Sequence, residues 1–208
     1  PATASVMPEQ VAFARALSKR WKAVVRKYLI DENTMLAAGN CQTSQAMAIY
    51  YNIFEPAERK AAFEQLINLI EEQEYHLVGV LGGRVLFHVL TEFGYSDLAF
   101  SMITRPDYPS YGNWIARGAT TLWEVFQPEG SDRIGSLNHH FWGDISSWFT
   151  QALSGIRMAP HGEPNEVDFR PSFISRLTHA EAFHIAPAGR IASAWERDED
   201  DVIVLTVK

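Results

Sequence analysis

The sequence predicts a mainly helical fold that forms one half of a two-layer ring of helical hairpins, followed by a partial antiparallel β-domain. Three observations support this fold class: the predicted helices alternate between half-exposed and mostly apolar ones, short segments connect them, and the sequence changes character near residue 167. A closed ring of six hairpins needs about twelve helices of ~11–12 residues each, and about six are recognisable here. An open solenoid of helix pairs is the competing architecture, but the sequence has no fixed repeat period.

The first three predicted helices show the alternation. Residues 11–28 carry an apolar stripe that includes Leu17 and Trp21, opposite a row of Lys and Arg residues, which predicts a half-exposed helix. Residues 43–54 have apolar side chains around most of the helix circumference, so we expect this helix to be buried. The third helix follows Pro56, which suits a first helical position, and it is half-exposed again because its apolar residues share one side.

The next three predicted helices continue the pattern. Residues 84–93 are almost continuously apolar and predict a buried helix, which Gly94 ends. Ser96 is expected to cap a short mixed helix at 97–104. Residues 136–156 predict a long helix that is apolar on more than one face.

The remaining residues predict β-structure. Prolines and glycines separate the apolar residues, and alternation with a period of two appears around Trp195. An acidic turn at 196–201, followed by a strand at 202–207, predicts a hairpin. We divide the chain into a helical domain at 1–158 and the beginning of a β-domain at 159–208. So few strands would be marginally stable alone.

The composition is that of a soluble globular protein, with 47% hydrophobic and 21% charged residues. A net charge of −7 argues against nucleic acid and anionic membranes as partners, and no apolar run is long enough to span a membrane. The lone Cys41 excludes a disulfide framework, and the seven histidines form no zinc motif. We therefore expect no metal ion and no organic cofactor, and we interpret isolated histidines as structural.

The most informative stretch runs from residue 108 to residue 124 and reads Tyr-Pro-Ser-Tyr-Gly-Asn-Trp-Ile-Ala-Arg-Gly-Ala-Thr-Thr-Leu-Trp-Glu. Its four aromatic residues are Tyr108, Tyr111, Trp114 and Trp123, and it closes on the carboxylate of Glu124. Aromatic ring faces can cover the apolar face of a sugar, and a carboxylate can transfer a proton at its anomeric carbon. This combination indicates a pocket that cleaves a sugar.

Two runs in this region, Arg117-Gly-Ala-Thr-Thr-Leu-Trp-Glu124 and Ser136-Leu-Asn-His139, resemble the α-L-rhamnosidases of bacteria and fungi. The resemblance extends weakly upstream through Gln42-Thr43 and Gly79-Val-Leu-Gly82, and downstream through residues 189–195. It implies the C-terminal half of an (α/α)6 barrel with alternating inner and outer helices, followed by a truncated β-sandwich. It also implies hydrolysis of terminal α-L-rhamnosyl residues with inversion.

Glu124 is the candidate general base, which would activate the attacking water. An ordinary solvated glutamate is the alternative, but the apolar neighbours of Glu124 predict a partly enclosed side chain. The resemblance assigns the base role to this glutamate. Inversion also requires a general acid ~6.5–9.5 Å from the base. The family places this acid in an Arg-x-Glu segment well upstream, and no such segment precedes Glu124 here.

Three local carboxylates, Asp107, Asp132 and Asp144, are alternatives for the acid, but loop or cap roles suit them better. We therefore expect the acid to lie on an N-terminal half that this sequence does not contain. On that expectation the chain alone is predicted to be inactive.

His139 is a candidate donor to a sugar hydroxyl. Steps of three and four along the predicted helix join it to Trp142, Gly143 and Ser146, a face that would suit a cavity. The alternative is that His139 satisfies a backbone carbonyl near the helix start. The other substrate-binding candidates are Trp114, Trp123 and Trp142 as stacking platforms, and Tyr111, Arg117 and Tyr108 as weaker ones. We expect at least one of the three tryptophans to be a core residue, and Arg117 could simply hold the loop.

The expected partners are a rhamnose-containing glycoside or polysaccharide and the N-terminal half of the same enzyme. Half a ring would expose apolar edges, which predicts self-association of the isolated chain. Two other functions stay open: another helical-barrel glycosidase with a different sugar, or a non-catalytic carbohydrate-binding protein that kept the barrel. The bacterial cytoplasm and periplasm both fit the sequence.

Overall fold

The structure, a computed structural model, describes residues 7–131, 135–158 and 166–208. The helices are α1 (Pro8–Leu29), α2 (Gln42–Tyr50), α3 (Arg59–Gln73), α4 (Val80–Glu92), α5 (Ser96–Thr104), α6 (Tyr111–Ala116) and α7 (Asp144–Trp148), with a 3-10 turn at His140–Trp142 and a π-helical turn at Phe149–Leu153. The strands are β1 (Ile30–Asp31), β2 (Leu36–Ala37), β3 (Ile156–Met158), β4 (Val167–Phe169), β5 (His179–Ala186), β6 (Gly189–Arg197) and β7 (Ile203–Val207).

Helix α4 lies at the centre of the helical part. It packs against α2, α5 and α7, while α3 packs against α2. Burial follows the predicted alternation, because α4 buries seven of its 13 residues and α2 five of nine, whereas α3 buries five of 15. The structure therefore confirms a mainly helical fold with more and less buried helices in alternation, followed by antiparallel β-structure.

The β-structure contains the predicted hairpin. Strands β5, β6 and β7 form an antiparallel sheet in that order, and the acidic turn joins β6 to β7. Strands β3 and β4 form a separate pair in which Ile156 lies opposite Phe169. The predicted domain boundary between residues 158 and 159 falls inside this pair. Because residues 159–165 lie outside those described, division at this point stays a prediction.

Two indole rings connect the parts of the fold. Trp148 in α7 is fully buried and donates a hydrogen bond from Nε1 to the carbonyl of Phe87 in α4, at 3.0 Å. Trp195 in β6 is also buried, and its Nε1 donates to the carbonyl of Leu153 at 2.7 Å. Large aromatic side chains bury much apolar area, and each ring nitrogen here has a partner. Trp195 thus fastens the sheet to the end of the helical part.

The prediction of a long helix at 136–156 is wrong. Residues 135–139 are not helical, and helical structure begins only with the 3-10 turn at His140–Trp142. The physical reason is competition for backbone hydrogen bonds: the amide of His139 donates to the carbonyl of Leu122, and the carbonyl of Ser136 accepts from the amide of Glu124. A helix that began at Ser136 would need the carbonyl of Ser136 for its first turn, where it would accept from the amide of His140.

Three smaller predictions also need correction. Helix α4 begins at Val80 rather than at residue 84, although Gly94, at a φ of 84°, follows its end as predicted. Ser96 is the first residue of α5 and not its cap, and its hydroxyl donates to Ser172. Pro56 lies in a turn, three residues before α3 begins.

Helix α1 confirms the predicted helix at 11–28 but not its burial. None of its 22 residues is buried, and Phe13, Trp21 and Tyr28 on its apolar side are exposed. Arg26 attaches the helix to the rest of the chain, since its guanidinium donates to both carboxylate oxygens of Glu58 at 2.7 and 2.9 Å. Although α1 is long, neither it nor any other described helix is apolar enough to cross a membrane.

One glycine in α4 permits a close contact that supports the loop after α6. A Cβ atom on Gly83 would lie 2.5 Å from Cζ3 of the buried Trp142 ring. We expect Gly83→Ala to displace this ring and to lower the free energy of unfolding by about 1–3 kcal/mol. Urea unfolding of the chain measures the change. Gly79→Ala is the matched control, because its Cβ would meet no atom within 4 Å. Equal effects of the two substitutions would contradict the prediction.

Candidate active site

The two sequence runs that carry the resemblance lie side by side. The amide of Glu124 donates to the carbonyl of Ser136 at 2.8 Å, and the amide of Ser136 donates to Oε2 of Glu124 at the same distance. The amide of His139 donates to the carbonyl of Leu122 at 2.8 Å, and the hydroxyl of Thr121 donates to Leu137. Backbone pairing therefore presents Glu124 and His139 from adjacent segments.

The side chains of Glu124 and His139 face each other. Nδ1 of His139 lies 3.8 Å from Oε2 of Glu124, which is too long for a direct hydrogen bond. The side chain of Glu124 is 43% exposed and that of His139 is 24% exposed. The carboxylate is thus partly enclosed, as the sequence predicts, yet a water molecule can reach it.

A hollow of about 450 Å³ contains this pair of side chains. Its other lining residues include Tyr108, Phe126, Phe141, Trp142 and His76. This volume is within the range of sites that bind small molecules, and the mixture of apolar walls with a few polar groups is typical of them.

Three aromatic candidates support the loop from behind. Trp114, Trp142 and Tyr111 are all buried. Nε1 of Trp142 donates to the carbonyl of Glu124 at 2.8 Å, and Nε1 of Trp114 donates to the carbonyl of Val125 at 3.2 Å. Burial also raises the pKa of Tyr111. Because Trp114 and Tyr111 do not line the hollow, their position favours the core-packing alternative over the predicted stacking on a sugar.

The other two candidates form a pair at the loop surface. The guanidinium of Arg117 lies 5.3 Å from the centre of the half-buried Trp123 ring and donates to the carbonyl of Gln127 at 2.8 Å. A cation over an indole face is a stabilising contact. The structure therefore supports the loop-holding alternative for Arg117, and Trp123 has one ring face engaged by it.

The alternatives for the general acid lie elsewhere. Asp107 is exposed near Arg105, and Asp144 accepts from His88, with 2.9 Å between Oδ2 and Nε2. Asp132 lies outside the described residues. Among the described residues that line the hollow, Glu124 supplies the only carboxylate. The part of the chain that the structure describes also has no cluster of three or more His, Cys, Asp or Glu side chains that could bind a metal ion.

Sequence reasoning missed His76, which lies at the inner side of the same hollow. Its side chain is buried between Phe87 and Phe126, and burial lowers its pKa to about 4, with a smaller contribution from Arg105. The ring is therefore neutral at physiological pH. Two weak matches in sequence point to its surroundings. Gly79-Val-Leu-Gly82 begins three residues after His76, and the side chain of Gln42 binds the backbone on both sides of His76.

Residues 4–153 match the family model described as the bacterial alpha-L-rhamnosidase 6 hairpin glycosidase domain. The chain is 31% identical to an alpha-L-rhamnosidase of Streptomyces avermitilis over 166 residues, which cover 76% of this chain and 16% of that protein. It is 29% identical to an alpha-L-rhamnosidase of Alteromonas sp. (strain LOR) over 196 residues, which cover 89% of this chain and 20% of that protein.

Solved structures give the same result. The Streptomyces avermitilis alpha-L-rhamnosidase complexed with L-rhamnose matches with a TM-score of 0.85 and 28% identity, covering 94% of this chain and 19% of that one. The alpha-L-rhamnosidase from Dictyoglumus thermophilum matches with a TM-score of 0.83 and 26% identity, covering 97% of this chain and 23% of that one. The chain thus spans between 16% and 20% of the length of the curated relatives.

Proposed function

Because the chain belongs to the family of bacterial α-L-rhamnosidases, within the six-hairpin glycosidase domain, we propose that it carries the general base of an enzyme that hydrolyses terminal α-L-rhamnosyl residues. The proposed substrate is a rhamnose-containing glycoside or polysaccharide. One observation carries the proposal: the partly enclosed carboxylate of Glu124 is oriented by the amide of Ser136 and shares a hollow with His139.

The proposed reaction is a single displacement with inversion. Glu124 takes a proton from a water molecule while the water oxygen forms a bond to the anomeric carbon. The bond from that carbon to the leaving oxygen breaks, and a general acid gives this oxygen its proton. Since Glu124 is the sole carboxylate lining the hollow among described residues, we place the acid on another part of the enzyme.

His139 is proposed to donate a hydrogen bond to a hydroxyl group of the bound sugar. Its ring is partly exposed and lines the hollow beside the carboxylate of Glu124. Trp142, which lines the same hollow, is proposed to contact the sugar at the edge of its ring. The apolar side of α1 is proposed to contact the rest of the barrel, so we expect the isolated chain to self-associate through it.

A panel of nitrophenyl glycosides tests the proposed function. The longest gene product that contains this chain should release nitrophenol from the α-L-rhamnoside and not from unrelated glycosides, and proton NMR should show the inverted anomer of rhamnose first. The 208-residue chain alone, which serves as the control, should be inactive. Cleavage of an unrelated sugar instead would favour another glycosidase. Sugar binding without any cleavage by the gene product would favour a carbohydrate-binding protein.

A further inference from the structure

His76 is a buried polar residue whose hydrogen-bonding capacity is unused within the described part of the chain. Its side chain is 1% exposed, and neither ring nitrogen has a hydrogen-bond partner there. Its neighbours are aromatic: the ring lies edge-on to Phe126 at 5.0 Å and to Phe87 at 5.7 Å between ring centres. Buried polar groups are normally paired, because leaving one unpaired is costly. A packing role alone would be served better by an apolar ring.

The backbone around His76 is held in place by a second buried polar side chain. Gln42 is fully buried, and its Nε2 donates to the carbonyl of Tyr75 at 2.8 Å while its Oε1 accepts from the amide of Leu77 at 2.9 Å. Both hydrogen bonds flank His76 directly. These contacts fix the backbone on both sides of His76, and the aromatic neighbours enclose its ring.

The hollow beside His76 is the one that contains Glu124 and His139. Phe126, which the His76 ring contacts edge-on, follows Glu124 by two residues in the same loop. A neutral imidazole has one nitrogen that donates and one that accepts, so it can pair with a hydroxyl group in either direction. Hydroxyl groups are the polar groups that a bound sugar offers.

We propose that His76 binds a hydroxyl group of the sugar in this hollow, with at most one water molecule between them. It would be a substrate-binding residue at the inner side of the site, whereas Glu124 is more exposed. This inference rests on the proposed function.

The inference is tested by removing His76 and a single sugar hydroxyl group, separately and together, and by comparing the binding affinities. In the longest gene product that contains the chain, His76→Phe keeps an aromatic ring and removes both nitrogens. We expect it to weaken binding of methyl α-L-rhamnoside about three- to tenfold by calorimetry, the equivalent of one neutral hydrogen bond. One analogue of methyl α-L-rhamnoside should lack the hydroxyl group that His76 binds. Its affinity for the wild type should be as low as the affinity of methyl α-L-rhamnoside for the variant, and the substitution should not lower it further. His179→Phe, on the exposed end of β5, is the matched control.

Two results would overturn the inference. If His76→Phe binds methyl α-L-rhamnoside as tightly as the wild type does, the proposed hydrogen bond is excluded. If the substitution lowers the affinity for every deoxy analogue equally, His76 only packs against its neighbours and binds no particular hydroxyl group. If the variant does not fold, wild-type chain with 15N-labelled histidines provides the measurement. One histidine should stay neutral down to pH 5, and its ring-nitrogen resonances should move when the sugar is added; no movement contradicts the inference. If the wild type does not bind rhamnosides at all, the proposed function itself fails.

Discussion

Replacement of Glu124 by glutamine should lower the turnover of an α-L-rhamnoside by about 10²- to 10⁴-fold and leave binding of L-rhamnose measurable. Glutamine has the same shape as glutamate, and its amide oxygen can still accept from the amide of Ser136, so the loop keeps its geometry. An amide nevertheless cannot take a proton from the attacking water. The measurement is kcat and KM on a nitrophenyl rhamnoside with the longest gene product that contains the chain.

The kinetic constants separate this role from binding. Loss in kcat with little change in KM identifies an interaction made in the transition state. Glu129→Gln is the matched control, since Glu129 lies in the same loop and is exposed. Near-normal turnover in Glu124→Gln would show that another group is the base, and the proposed mechanism would then be wrong.

The layered fold could be predicted because the apolar residues of a helix indicate how deeply that helix is buried. Helix α4 is apolar around most of its circumference, and such a helix is stable only in the interior. Helix α2 is buried as well, although two of its five buried residues are Gln42 and Gln45. Helix α1 shows the limit of this reasoning. Its apolar side predicts a contact, but periodicity cannot say which part of a protein supplies the other surface, and in this structure that side is exposed.

The helix at 136–156 could not have been rejected from its sequence. The apolar pattern favours it, and the pairing of Ser136 and His139 with the distant Leu122 and Glu124 overrides that pattern. The same pairing places Glu124 beside His139. The motif therefore predicted the right neighbours, while the helix-face argument for His139, which joined it to Trp142 and Ser146 on one helix, started from a wrong premise.

The division of the aromatic residues between core and pocket also depends on tertiary contacts. Trp114 and Trp123 have the same side chain and lie in the same motif, but one is buried against Phe126 and the other is half-exposed under Arg117. His76 is a comparable case. An isolated histidine has no distinguishing pattern in sequence, and its significance follows from the absence of a partner among the described residues.

Replacement of Gln42 by leucine should lower the free energy of unfolding by about 1–3 kcal/mol, because two partly buried backbone groups would lose their partners at once. Leucine has a similar volume, so packing changes little. The carbonyl of Tyr75 and the amide of Leu77, which Gln42 now satisfies at 2.8 and 2.9 Å, would be left without this partner in a partly buried segment. Urea unfolding of the chain measures the loss, with Gln10→Leu on the exposed face of α1 as the control.

Hydrogen exchange assigns that loss to the segment that carries His76. The amide of Leu77 should exchange slowly in the wild type and rapidly in Gln42→Leu, while amides in the middle of α4 keep their protection, since their hydrogen bonds lie within the helix. A uniform fall in protection would mean that Gln42 stabilises the whole core and not this segment. An unchanged unfolding midpoint would mean that other groups or water replace the lost partners, and Gln42 would then not hold the inner side of the site.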